Sequence, residues 1–269
     1  MAAFKPVAFK TPKILARVIR IVIGILVVAW IAVRMYEVLF VKMPYGPDTW
    51  VRFAITGLII GGMYALIAIG YTLVYGILGM INFAHGEVMM IGTFGGYFVL
   101  ETLKIIRLPT AQNPDLNFLN AHPLVSVLLA FLMGTVVASL TGYFLEKIAY
   151  RPLRNAPRLV PLISAIGASI FLQNAVQLLF SPQLRDYTNP DVIARGIGWP
   201  IAIAGSQVLI TYTGVLSFAL SIILMIGLFV LVKKTRLGRA MRAVAQDKKT
   251  AALMGVDVNA VISQTFIIS

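Results

Sequence analysis

Phe53–Tyr75, FAITGLIIGGMYALIAIGYTLVY, runs 23 residues without a charged side chain and carries four glycines. About 20 apolar residues in a helix cross about 30 Å of hydrocarbon, so this stretch reads as a membrane span. Working outward, Val18–Val33 (VIRIVIGILVVAWIAV) follows a basic tail holding Lys5, Lys10, Lys13, Arg17 and Arg20. A secretory signal shares that layout, but Trp30, Val33 and Arg34 stand where small cleavage-site residues belong, so a retained first span is expected. A third run covers Met80–Leu100 and carries Asn82, His85 and Glu87 in its opening turns. Leu124–Leu145, Leu159–Phe180 and Val208–Val232 follow, and Val261–Ser269 (VISQTFIIS) reads as the start of a seventh, inside which a C-terminally truncated chain stops.

The expected fold is therefore all-α, a polytopic transmembrane bundle of about six spans. It divides into a basic cytoplasmic tail over 1–17 and one transmembrane domain over 18–269. Composition agrees: 59% of residues are hydrophobic and 12% charged, against about 25% charged in a soluble domain. So much apolar surface needs lipid as its solvent.

The net charge of +13 would suggest nucleic acid in a polar protein. Here the cations gather in short segments between spans, which reads as membrane orientation and excludes a nucleic-acid partner. The tail, the loop with Lys147, Arg151, Arg154 and Arg158, and the segment Lys233–Lys249 fall on one side by span parity. That side is expected to be cytoplasmic, with the N-terminus there. With no cysteine, thiolate metal sites and cysteine nucleophiles are excluded. His85 and His122 have no metal-ligand spacing. There is no phosphate-binding G-x-x-x-x-G-K-[ST] loop, zinc H-E-x-x-H or G-x-S-x-G elbow. No metal, cofactor or catalytic set is expected, and an enzyme is the weakest reading.

Three features carry functional expectations. Gly57 and Gly61, like Gly92 and Gly96, are four apart, a spacing that lets helix backbones approach in lipid. Ordinary packing and the lining of a narrow path are both open. Gly76–Glu87, GILGMINFAHGE, sets an amide, an imidazole and a carboxylate between two apolar runs with no lysine or arginine. If it is helical, Asn82 and His85 share a face. Either this turn is a broken helix lining a solute path, or it is a wet interfacial turn with Glu87 paired to a loop arginine. The segment 233–260 is too polar to span. It reads as two short helices with apolar positions at Leu237, Met241, Val244, Ala252, Leu253 and Met254, Asp247 opening the second helix and Gly255 breaking it. Its apolar stripe fits anionic lipid or a partner's groove.

Three long stretches, Gly61–Gly92 (GGMYALIAIGYTLVYGILGMINFAHGEVMMIG), Glu146–Asn174 (EKIAYRPLRNAPRLVPLISAIGASIFLQN) and Arg236–Ile262 (RLGRAMRAVAQDKKTAALMGVDVNAVI), resemble the permease subunits of ABC transporters for branched-chain amino acids, in the high-affinity leucine/isoleucine/valine class. The resemblance covers most of the chain from Gly57 onward; Met1 to about Trp50 is not matched. It implies an ABC importer permease of the inner membrane, paired with a second permease chain. It also implies two ATP-hydrolysing subunits on the cytoplasmic side, a periplasmic substrate-binding protein and an amino-acid substrate. Within 233–260 it implies an ATPase-coupling role for Ala245, Asp247, Ala251, Ala252 and Gly255. In the turn it marks Asn82, Phe83, Ala84, His85, Gly86 and Glu87 as family signature. It also implies further spans beyond Ser269. Rival readings are a permease for urea or short amides, and a partner-independent channel or secondary carrier. The latter expects ionisable residues within its spans, of which there are almost none beyond His85 and Glu87.

Overall fold

The structure, a computed structural model, describes residues 13–38, 46–109, 113–154, 156–157, 159–183, 185–194, 196–203 and 206–269. Lys5 and Lys10 of the basic tail and Arg158 lie outside the described residues. The chain forms two compact units, one of residues 1–52 with 202–208, the other of residues 53–201 with 209–269.

In the first unit, α1 (Lys13–Tyr36) begins before the span expected from Val18. Every described side chain from Arg17 to Tyr36 is exposed on the chain surface, apolar ones included. Apolar side chains exposed around a long helix suit a hydrocarbon surrounding. Arg34 pairs with Glu37 at 2.8 Å. Arg52, in the first turns of α2 (Pro47–Leu78), donates to the Gln207 carbonyl at 3.4 Å.

The second unit contains the remainder of α2, then α3 (His85–Ile105), a single turn α4 (Phe118–Ala121), α5 (Pro123–Leu145), α6 (Leu159–Phe180) and α7 (Tyr212–Lys234). Three short helices follow: α8 (Arg236–Gln246), α9 (Lys248–Leu253) and α10 (Val258–Ile268). With α1, six helices among the described residues are long and apolar enough to cross a membrane, and α10 is shorter than a span. At 32 residues α2 is about 48 Å long at 1.5 Å per residue, more than the about 30 Å of hydrocarbon.

The most extensive helix pairing among the described residues of this unit is α3 on α5, and its cause is side-chain size. A Cβ on Gly92 would lie 2.8 Å from Ala138 Cβ and 3.0 Å from the Gly134 carbonyl, and one on Gly96 3.0 Å from the Ala130 carbonyl. Gly92 and Gly96 thus meet a matching ridge of small residues on α5. Around Gly57 and Gly61 there is open space.

The packed core sits at the basic end of the bundle. Val74 and Ile77 of α2, Leu145 of α5, Met241 and Val244 of α8, and Ile262 and Phe266 of α10 bury one another there. The expected apolar stripe of 233–260 therefore divides. Met241 and Val244 turn into the chain's own core, with Leu237 packed against it, while Ala252, Leu253 and Met254 point out. A stripe offered whole to a partner does not exist, because α8 turns its half of the stripe into the chain's own core.

Two spans start later than expected. The third span starts at His85, since Met80–Ala84 is held out of helical conformation. The sixth starts at Tyr212, since Val208–Thr211 belongs to strand β2 (Ser206–Thr211), which pairs with β1 (Gly198–Ile203) in a two-stranded sheet. The β-branched Val208, Ile210 and Thr211 suit a strand, and Thr211 ends it by capping α7, its Oγ1 accepting from Gly214 N at 3.3 Å.

Candidate functional site

Helix α2 closes at Gly79, whose φ of +74° is the left-handed cap that glycine adopts without strain. Its amide donates to the Tyr75 carbonyl at 2.8 Å. The chain then crosses to α3 through a turn tied by Asn82, whose Oδ1 accepts from Ala84 N at 3.1 Å. The His85 amide donates to the Asn82 carbonyl at 3.2 Å. Asn82 is outside any helix, so it and His85 do not share a helical face.

The polar residues of this turn diverge. Asn82, 3% exposed, also accepts from the Tyr150 hydroxyl at 2.7 Å. Buried His85 lays its ring against Tyr71 of α2 at 4.5 Å, where Gly70 makes room: a Cβ there would lie 3.0 Å from His85 Nε2. Glu87, half-buried, accepts from Ser169 Oγ of α6 at 3.0 Å. The expected pairing of Glu87 with a loop arginine is not found among the described residues; the acid that takes the arginine is Glu146. Phe83 is exposed and Gly86 half-buried. The turn is thus a polar seam tied to three different elements, and its side chains do not converge on one pocket. A groove of about 480 Å³ does lie elsewhere along α3 and α5, lined by Ile91, Phe94, Phe98, Met133, Val137 and Phe180. None of the turn's residues lines it.

Sequence reasoning missed the residues that hold this seam. Helix α5 leaves through a π-helical turn, Glu146–Tyr150, and a 3₁₀ turn, Arg151–Leu153. Glu146 is fully buried and pairs with Arg154. Its other oxygen accepts from Ser263 Oγ of α10 at 2.7 Å, and Arg154 also donates to Asn259 Oδ1. Ser164 Oγ of α6 donates to the Ala149 carbonyl at 2.9 Å. One signal was available: Glu146 is the only acid between Leu145 and Arg158, set among four cations.

The segment 233–260 holds two capped helices and the capped start of a third. Thr235 Oγ1 accepts from Gly238 N at 3.0 Å at the start of α8. Asp247 Oδ1 accepts from Lys249 N at 2.9 Å and its Oδ2 from the Thr250 hydroxyl, opening α9. Asp257 Oδ1 accepts from Ala260 N at 3.0 Å, opening α10. The Thr250 hydroxyl and the Lys249 amide favour the ionised Asp247 and hold its pKa below the usual carboxylate value. Gly255, at φ +84°, turns the chain from α9 toward α10, and the Val256 amide donates to the Ala251 carbonyl at 3.1 Å. Of the expected coupling residues, Ala251 is buried, whereas Ala245, Asp247, Ala252 and Gly255 are exposed. Next to them Leu253 and Met254 are 88% and 81% exposed. These two are the most prominent apolar side chains of the segment.

Long apolar helices around a glycine-packed pair, with a capped polar segment at the basic end, suit a membrane-spanning helical bundle. The chain matches the family described as the permease component of branched-chain amino acid transport systems over residues 53–269, and it belongs to that family. It is 43% identical over 214 residues to the high-affinity branched-chain amino acid transport permease protein BraD of Pseudomonas aeruginosa, covering 80% of this chain and 65% of the relative. It is 39% identical over 218 residues to LivH of Escherichia coli K12, covering 79% and 64%. To a probable LivH of Methanocaldococcus jannaschii it is 26% identical over 214 residues, covering 75% and 56%. The chain thus spans less than two thirds of the length of these curated relatives. No solved structure matches it. The family match starts at residue 53, and the first 52 residues, α1 among them, lie outside it.

Proposed function

We propose that this chain is the membrane-spanning subunit of an ATP-driven importer that moves branched-chain amino acids inward across the bacterial inner membrane. The observation that carries this function is the family match from residue 53 to 269. Hydrolysis of ATP takes place on two partner subunits, a second permease chain completes the path, and an external binding protein delivers the amino acid. Residues 1–17 form a basic cytoplasmic tail, 18–269 the membrane domain, and the N-terminus is cytoplasmic, in keeping with the cations of 147–158 and 233–249.

Within this reading the segment 233–260 is the ATPase contact. Asp247 and Gly255 give it a fixed shape, Ala245 and Ala252 form its surface, and Ala251 seats it on the core. Leu253 and Met254 are the apolar knob that enters a groove on the ATPase. Asn82, Phe83, His85, Gly86 and Glu87 border the path, at the seam where α2, α3 and α6 meet.

The test is purification of the full-length chain from its native membranes in mild detergent, with the co-purifying proteins identified. A second permease and two ATPases are expected with the wild type, and the ATPases are expected to be lost from Leu253→Asp/Met254→Asp. Recovery of the wild type without ATPases would contradict the importer; ATPases retained by the double variant would contradict the knob.

A further inference from the structure

The buried pair at the end of α5 links the two functional regions. Glu146 is completely buried and holds Arg154 and Ser263 with its two oxygens. Arg154 reaches Asn259, one turn before Ser263 on α10. The Nε of Arg154 is buried with no acceptor among the described residues, so its guanidinium is held by Glu146 and Asn259. Four residues after Glu146 in the same π-helical turn, Tyr150 is also fully buried and donates to Asn82. Its ring lies 5.2 Å from that of Phe266 on α10.

These contacts form one continuous path. From α9 the chain turns at Gly255 into α10, whose Asn259 and Ser263 grip the Glu146–Arg154 pair. The π-helical turn carries that grip to Tyr150, and Tyr150 holds Asn82, which fixes the turn leading into α3. In its last turn α10 is pressed on α5 with no slack: a Cβ on Gly142 would lie 2.5 Å from the Phe266 carbonyl. A buried charge is costly and is retained in membrane proteins where it has a task.

We infer that Glu146, Arg154 and Tyr150 are positioning residues that form a rigid joint, transmitting displacement of the α8–α9 segment through α10 to the Asn82 turn. The joint rests on the proposed function, since it presupposes that 233–260 meets an ATPase and that the Asn82 turn borders the path. Glu146 and Tyr150 are fully buried. Their role is to make movement at one end obligatory at the other, which is what physical coupling between sites requires.

The experiment uses the full-length chain assembled with its partner subunits in proteoliposomes, with leucine as the probe. ATP hydrolysis and leucine uptake are measured on the same sample, and uptake per ATP is compared across variants. Tyr150→Phe removes one hydroxyl while keeping the ring, so it preserves the core contact with Phe266. Glu146→Gln removes the charge while keeping the shape. Each variant is expected to keep its ATPases and hydrolyse ATP within about twofold of wild type, while uptake per ATP falls about tenfold (about 1.4 kcal/mol of lost coupling). The double variant is expected to be no worse than the poorer single one, because both lie on one path. Unchanged uptake per ATP in Tyr150→Phe would overturn the joint, as would uptake and hydrolysis falling together in proportion to assembled complex. Absence of ATP-driven uptake in the wild type would instead overturn the importer itself.

Discussion

Gly57 and Gly61 on α2, and Gly92 and Gly96 on α3, have the same spacing and opposite surroundings. The α3 pair lies against α5 at backbone contact, because Ala130, Gly134 and Ala138 repeat the four-residue spacing on the facing helix. The α2 pair faces open space. A small-residue pattern is therefore half of a contact, and it becomes one only where the opposing helix has a matching ridge. The basic end repeats this division. Met241 of α8 is 2% exposed, whereas Met254, just past α9, is 81% exposed, although both stand in one amphipathic-looking segment.

That contrast can be broken by substitution. Met241→Ala empties a core position and is expected to destabilise the chain by about 2–5 kcal/mol, read as a lower thermal unfolding midpoint in detergent. Met254→Ala removes an exposed side chain and is expected to leave that midpoint unchanged; equal losses at the two sites would dissolve the division. Next in size, Gly92→Leu forces atoms into the α3–α5 contact and is expected to cost about 1–3 kcal/mol, with a lower yield of folded protein. A smaller and local effect attends Asp247. Its folded pKa is depressed, so its capping contribution is present at neutral pH and is lost as pH falls through that lowered value. Amide exchange at Lys249 and Thr250 should stay slow down to the usual carboxylate range and rise only below it. The smallest effect belongs to Gly57→Ala, expected to be neutral or to stabilise by up to about 1 kcal/mol through helix propensity, since no atom lies near the added methyl group. Destabilisation as large as that of Gly92→Leu would show that the open face of α2 is not open.

The spans were legible because hydropathy and length are local quantities: Leu159–Phe180 is the expected segment to the residue. The capped shape of 233–260 was legible for the same reason, Asp247 and Gly255 being signals read within one turn. What the sequence withheld depends on partners far along the chain. Asn82 looked like a helical polar residue until Tyr150, 68 positions later, supplied its hydrogen bond. Glu146 reads as one loop charge among several, and only the return of α10 across α5 buries it against Ser263. The division of the apolar stripe has the same origin, since periodicity finds the stripe but not what covers it. The β1–β2 pair escaped because its second strand runs straight into an apolar helix, so Val208–Thr211 reads as the start of the span.

An importer subunit differs from a channel or carrier in needing ATP and its partners. The most direct measurement is leucine uptake into proteoliposomes, with the full-length chain reconstituted once alone and once with its co-purified subunits, each with and without ATP. Uptake is predicted only with the partners present and ATP supplied. Uptake of leucine by the chain alone, at the same rate with and without ATP, would contradict it and make this protein a channel or carrier.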